Sequence, residues 1–173
     1  MQPELFYIGH DRFLADLEAV ARAVEADRSW RADFLVGIGR GGLVPAAYLS
    51  HRTGIPMLSV DVSSGEPGFA DELLAKLAAK MRQGLNLLIV DDINDSGTTI
   101  AFLRDAIATY GGIADRLRVA VLINNLRSRA KADYWSETID RAEDKRWFVF
   151  PWEAVAPRQT LVEAASEVPE RLG

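Results

Sequence analysis

The chain has no cysteine and only two histidines in 173 residues. The first absence excludes disulfides, thiolate metal sites and cysteine nucleophiles, and the second leaves little for an imidazole-built metal centre. His10 and His51 are read as packing or surface residues. No apolar run reaches the ~18 residues that a membrane-spanning helix requires. Cations are in deficit, 20 Lys and Arg against 25 Asp and Glu, for a net charge of −5. That balance argues against non-specific nucleic-acid binding, which needs clustered Lys and Arg. The opening MQPELFYIGHDRF lacks the basic start and apolar stretch of a secretory leader, so the expected location is cytoplasmic. Internal repeats and low-complexity linkers are also missing. The length suits one domain over residues 1–173, with a core over about 10–145 and a closing segment over about 146–160.

What is present is an alternation of helical and strand-like patterns. Phe13, Leu14, Leu17, Val20, Ala21 and Val24 have the spacing of an amphipathic helix over 11–26. FLVGI (34–38) reads as a buried strand. LVPAAYLSHRTG (43–54) reads as a helix ending at Gly54, and PMLSVDV (56–62) as a strand. SSGEPG (63–68) has loop composition. Leu73, Leu74, Leu77, Ala78 and Met81 mark a helix over 71–84. NLLIVD (86–91) and RVAVLIN (118–124) are continuous apolar runs, as expected of parallel strands covered on both faces. Between them, 96–112 opens on small hydroxyl residues and closes at Gly111-Gly112, a helix signature. RWFVF (146–150) is strand-like and a short helical tail follows. The alternation predicts an α/β fold around a central, mostly parallel sheet flanked by helices. In such sheets ligands bind beyond the carboxyl ends of the strands.

Two chemically loaded stretches fall at such ends. In LLIVDDINDSGTT (87–99) a strand runs into Asp91 and Asp92, then a loop enters a helix through Ser96, Gly97, Thr98 and Thr99. A helix N-terminus offers unpaired N–H groups and partial positive charge, which favour a phosphate. Gly97 admits the anion close to the backbone, and the hydroxyls add donors. The two carboxylates can accept from vicinal hydroxyls or hold Mg²⁺ through water. A plain strand–helix turn would instead use Asp95 or Ser96 as a helix cap. The second stretch, Gly37-Ile-Gly39-Arg40-Gly41-Gly42, has the glycine spacing of a dinucleotide-binding turn, with Asp61 about 20 residues on. Its first glycine lies inside the strand run, however, and Arg40 would crowd a backbone meant to meet a pyrophosphate.

Taken together these motifs resemble the type I phosphoribosyltransferase family, most closely its xanthine-guanine and hypoxanthine branch, from about Asp33 to Glu153. Four apolar residues, two acidic residues and a small-residue loop resemble that family's signature for 5-phosphoribosyl-1-pyrophosphate (PRPP). GRGGLVPA (39–46) resembles its pyrophosphate loop, and RWFVFPWE (146–153) resembles the hood over its base. The resemblance implies that Asp91 and Asp92 meet the ribose hydroxyls and the metal shell. Asp95, Ser96, Gly97, Thr98 and Thr99 would cradle the 5′-phosphate, with Asp95 also acting as acid/base on the base. Gly39, Arg40 and Gly41 would hold pyrophosphate, across a cis Gly39–Arg40 bond. Trp147 would stack on a purine, the backbone of Phe148 would read its edge, Trp152 would support the hood, and Glu153 would contact the base or shape the turn.

One position departs from the family. The lysine expected to donate to a purine 6-oxo group is replaced by Asn125, whose amide can both donate and accept. Arg127 or Lys131 are substitutes, or members of a solvated basic loop. Residues 61–71 fall where the family carries a mobile catalytic loop. The implied reaction is Mg²⁺-dependent transfer of phosphoribose from PRPP to hypoxanthine, guanine or xanthine. The implied partners are PRPP and a purine, with no nucleic acid and no membrane, in a homodimer or homotetramer. The alternatives are a PRPP-sensing regulator and a transferase for another base.

Overall fold

The computed structural model describes residues 3–61 and 69–167. Five strands form one fully parallel sheet: β2 (Phe34–Ile38), β3 (Met57–Val60), β4 (Leu87–Asn94), β5 (Leu117–Asn125) and β6 (Tyr134–Ile139). A short β1 (Leu5–Tyr7) pairs instead, also in parallel, with β7 (Trp147–Val149). The helices are α1 (His10–Ala26), α2 (Gly39–Thr53), α3 (Phe69–Arg82), α4 (Thr98–Thr109) and α5 (Arg158–Ser166).

Side chains alternate across a strand, so each central strand supplies two cores. Leu35, Leu88, Val90, Ala120 and Leu122 face α1 and α2, where Phe13, Leu17, Val20, Ala46 and Leu49 are buried. Val36, Leu87, Ile89, Val119 and Val121 face α3 and α4, which contribute Leu74, Leu77, Met81, Leu103 and Ile107. The result is three layers, helices over both faces of the sheet. Burial on both sides explains why β4 and β5 read as unbroken apolar runs in the sequence.

The strand order is β3-β2-β4-β5-β6. The chain leaves β2 in one direction to form β3, then returns across β2 to form β4. Between β2 and β4 the winding therefore reverses, and a crevice opens beyond their carboxyl ends. The segments entering that crevice are the starts of α2 and α4.

Several sequence expectations are corrected. Residues 39–42, expected as a loop before a helix at 43–54, form the first turn of α2. Pro45 has no N–H to return to Gly41's carbonyl, which loosens that turn from the rest of the helix. The turn from strand into helix is made at Gly39, at φ +55°, and the expected cis Gly39–Arg40 bond is trans. β4 continues through Asp91 and Asp92 to Asn94 instead of stopping at the acidic pair. The basic stretch after β5 leads into a sixth strand of its own. The hood is not built from the closing segment alone, because β1 supplies its second strand. Most of the expected mobile loop, residues 62–68, lies outside the described residues.

Candidate active site

The crevice brings both loaded stretches together because two glycines remove the side chains that would hold them apart. A Cβ on Gly42 would lie 2.1 Å from the carbonyl oxygen of Val90. One on Gly41 would lie 2.5 Å from an Asp92 carboxylate oxygen. The first turn of α2 therefore rests on the end of β4, with Arg40 exposed at the crevice mouth.

On β4, Asp91 takes the N–H of Asp92 at 3.0 Å and Asp92 takes that of Ile93 at 2.7 Å. Each bond occupies one carboxylate oxygen. Burial at the strand end pushes the Asp91 carboxyl up to about 7, against the lowering effect of the Asp92 N–H. Asp92 is also raised, by burial first and then by the charges of Asp91 and Glu153. Glu153 is raised by burial, while the N–H of Phe150 and the charge of Arg40 pull it back. Three carboxylates and one guanidinium thus share the crevice at close electrostatic range. Glu153 also shapes its own turn, accepting the Phe150 N–H at 3.0 Å.

Residues 91–100 line a cavity of about 220 Å³. Its floor is the entry to α4. Gly97 sits at φ +80°, where other residues are strained, and a Cβ there would fall 2.5 Å from the Ala130 nitrogen. The hydroxyls of Ser96 and Thr98 lie 2.9 Å apart at the helix start. The loop is held from beneath by buried Asn94. Its amide donates to Asn124 and to the Ala130 carbonyl, and its oxygen accepts from Ser128, each at 2.8 Å.

Beside Ser96 a second cavity, of about 350 Å³, is lined by Asn125, Arg127, Arg129, Arg141 and Lys145. Asn125 is buried and committed to backbone. Its amide donates to the Asp95 carbonyl at 3.0 Å, and its oxygen accepts the N–H groups of Arg127 and Arg141. The side chain thus ties three loops, and at most one amide hydrogen is left for a ligand. Arg127 pairs with Asp140, and Lys131 is exposed.

Sequence reasoning missed Arg141. Its side chain is only 8% exposed, and it forks onto Asp95, Nε to Oδ1 at 3.0 Å and Nη2 to Oδ2 at 2.9 Å. Nothing in the charged run IDRAEDKR singles out this arginine from its neighbours.

The hood stands on β7. Trp147 gives its N–H to the Glu4 carbonyl, and Val149 accepts the Ile8 N–H at 2.9 Å. By strand alternation the N–H and C=O of Phe148 point to the other edge, away from β1. The Phe148 ring is buried edge-on to Phe6 at 5.8 Å. Trp152 stacks on Phe150 at 5.0 Å and meets Phe13 of α1 edge-on. It anchors the end of the hood to the core.

A three-layer α/β/α fold around a parallel sheet brings an acidic pair, a helix start and an arginine-bearing turn together at its switch point. The chain belongs to the phosphoribosyltransferase family: residues 9–156 match the model of the phosphoribosyl transferase domain. It is 30% identical over 156 residues to the xanthine-guanine phosphoribosyltransferase of Cereibacter sphaeroides, covering 86% of each chain. Purine phosphoribosyltransferase from Pyrococcus horikoshii superposes with a TM-score of 0.63 at 23% identity, over 88% of this chain and 96% of that one. A Neisseria gonorrhoeae protein solved with bound ppGpp gives 0.67 at 20% identity, over 100% and 99%. Family and fold together make the chain a phosphoribosyl-transferring enzyme.

Proposed function

We propose that this enzyme transfers phosphoribose from PRPP to a 6-oxopurine, of the xanthine, guanine or hypoxanthine type. The observation that carries the reading is the junction across the switch point, where Gly41 and Gly42 pack on Val90 and Asp92. That junction sets an arginine-bearing turn beside an acidic pair and a phosphate cradle, one element for each part of PRPP. The purine assignment draws on the named relatives and on the hood, where Trp147 and the outer backbone edge of Phe148 lie on β7.

In this reading the N–H groups at 97–99 and the hydroxyls of Ser96, Thr98 and Thr99 take the 5′-phosphate. The free oxygens of Asp91 and Asp92 accept the ribose hydroxyls. Arg40 holds the pyrophosphate through a fork that matches its oxygens. A base nitrogen bonds to C1′ as the C1′–O bond breaks, and pyrophosphate leaves with the electron pair. The proton shed by the base is taken up at the Asp95 carboxylate.

The donor set also fits Mg²⁺, which is usually held by one or two carboxylates together with substrate phosphates. Asp91 and Asp92 are hard oxygen donors whose burial and mutual repulsion a cation would relieve. When bound, the ion supplies charge neutralisation to the leaving pyrophosphate.

The test is pyrophosphate release from PRPP and Mg²⁺ across hypoxanthine, guanine, xanthine, adenine, orotate and uracil. Turnover with a 6-oxopurine, reduced roughly 10²-fold or more in Asp95→Asn, is expected. Turnover confined to adenine or a pyrimidine would overturn the base assignment.

A further inference from the structure

We infer that Arg141 is the positioning residue for Asp95, fixing its carboxylate as an ionised, single-orientation proton acceptor beside the base. The inference rests on the reading of Asp95 just given and adds a residue to it.

The geometry is that of a built support. Both Asp95 oxygens accept from the guanidinium, at 3.0 and 2.9 Å. The remaining nitrogen, Nη1, donates to the carbonyls of Asp144 and Arg146, at 3.0 and 2.8 Å. The face of the guanidinium lies 5.1 Å from the centroid of the Phe148 ring. The backbone N–H of Arg141 reaches Asn125, whose amide in turn holds the Asp95 carbonyl. Arg141 is thus locked on every side, and Asp95 is gripped by its carboxylate and its carbonyl at once. A surface ion pair has none of this surrounding structure.

The consequences are chemical. A carboxylate held by a two-point guanidinium fork keeps one orientation, and an ionised carboxylate can accept but not donate. It can take a proton from a base that presents N–H, in one direction only. Removing the guanidinium takes away a positive neighbour that favours the ionised form, a change that a pH profile reads. Arg141 also joins the acid/base residue to the hood, since the ring it covers belongs to the strand carrying Trp147.

The experiment measures kcat/KM against pH for wild type, Arg141→Lys and Arg141→Met, with the Asp95→Asn and Asp95→Asn/Arg141→Met variants alongside. Circular dichroism and PRPP calorimetry first establish that each variant is folded and binds PRPP. Expected are a loss in kcat of roughly 10²-fold in Arg141→Met, an acid limb displaced to higher pH, and PRPP affinity within about twofold of wild type. Arg141→Lys, which keeps the charge and loses the fork, should fall between. In the Asp95→Asn background the Arg141 substitution should cost little more, because the two residues act as a unit. Folded variants that lose activity with an unmoved acid limb, or additive losses in the double variant, would overturn the inference while leaving the transfer reaction standing. A wild-type protein that turns over no base would remove both.

Discussion

At the scale of single residues, the site is built from groups held at an energetic disadvantage. Asp91 is the clearest, with a carboxyl raised from 3.8 to about 7 by burial. Its contribution to stability is full below its unfolded value and lost as pH rises through about 7, because the folded state must then carry a buried charge. With chelator present and no ligand, Asp91→Asn should therefore melt a few degrees above wild type at pH 8 and level with it at pH 4. An equal gap at both pH values would contradict the burial argument. The same variant should lose PRPP affinity. Gly42 shows the opposite economy. Gly42→Ala sets a Cβ against the Val90 carbonyl, so α2 must move off β4. The expected cost is about 1–3 kcal/mol, read by urea unfolding, with weakened PRPP binding.

Among individual residues, the acidic strand end and the small-residue helix start were legible as features because their types are unusual where they stand: two aspartates at the end of an apolar run, then small residues opening a helix. Arg141 was not legible. An arginine in a charged stretch reads as solvated until the fold sets it against Asp95, and no local pattern encodes that meeting. The ties made by Asn125 were not legible, since its three partners come from separate loops.

At the scale of elements, β2, β4, β5 and all the main helices follow from periodicity, because burial on both faces or on one stripe imprints itself on the chain. β6 did not, since YWSETI mixes polar and apolar residues at the sheet's edge, where one side is less covered. β1 is harder still. Its three residues gain meaning only by pairing with Trp147–Val149 from the far end of the chain. This gives the hood a testable dependence on the N-terminus. Phe6 packs edge-on to Phe148 and lies under the guanidinium groups of Arg12 and Arg146, 5.2 and 4.3 Å from its ring centroid. Phe6→Ala should loosen β7, raising KM for the base several-fold while leaving KM for PRPP near wild type. Equal changes in both constants would mean that the hood and the PRPP crevice are not separable.

At the scale of the molecule, an acidic chain carries a basic hollow. The net charge is −5, yet Arg129 and Lys145 stand at the cavity beside Ser96, next to the ion-paired Arg127 and Arg141. That asymmetry directs polyanions to one place, and raising ionic strength should increase KM for PRPP more than KM for a neutral base. The arginine-bearing turn and the acidic strand end meet at a single topological reversal, between β2 and β4. Among the described residues no helix is long and apolar enough to cross a membrane.

Transfer of phosphoribose to a 6-oxopurine is decided by one competition reaction. The protein is given PRPP, Mg²⁺ and an equimolar mixture of hypoxanthine, guanine, xanthine and adenine, and the products are separated by mass. The expected result is one or more 6-oxopurine nucleoside monophosphates, with pyrophosphate in equal amount and little adenylate. Adenylate as the main product, or no nucleotide at all from protein that binds PRPP, would contradict it.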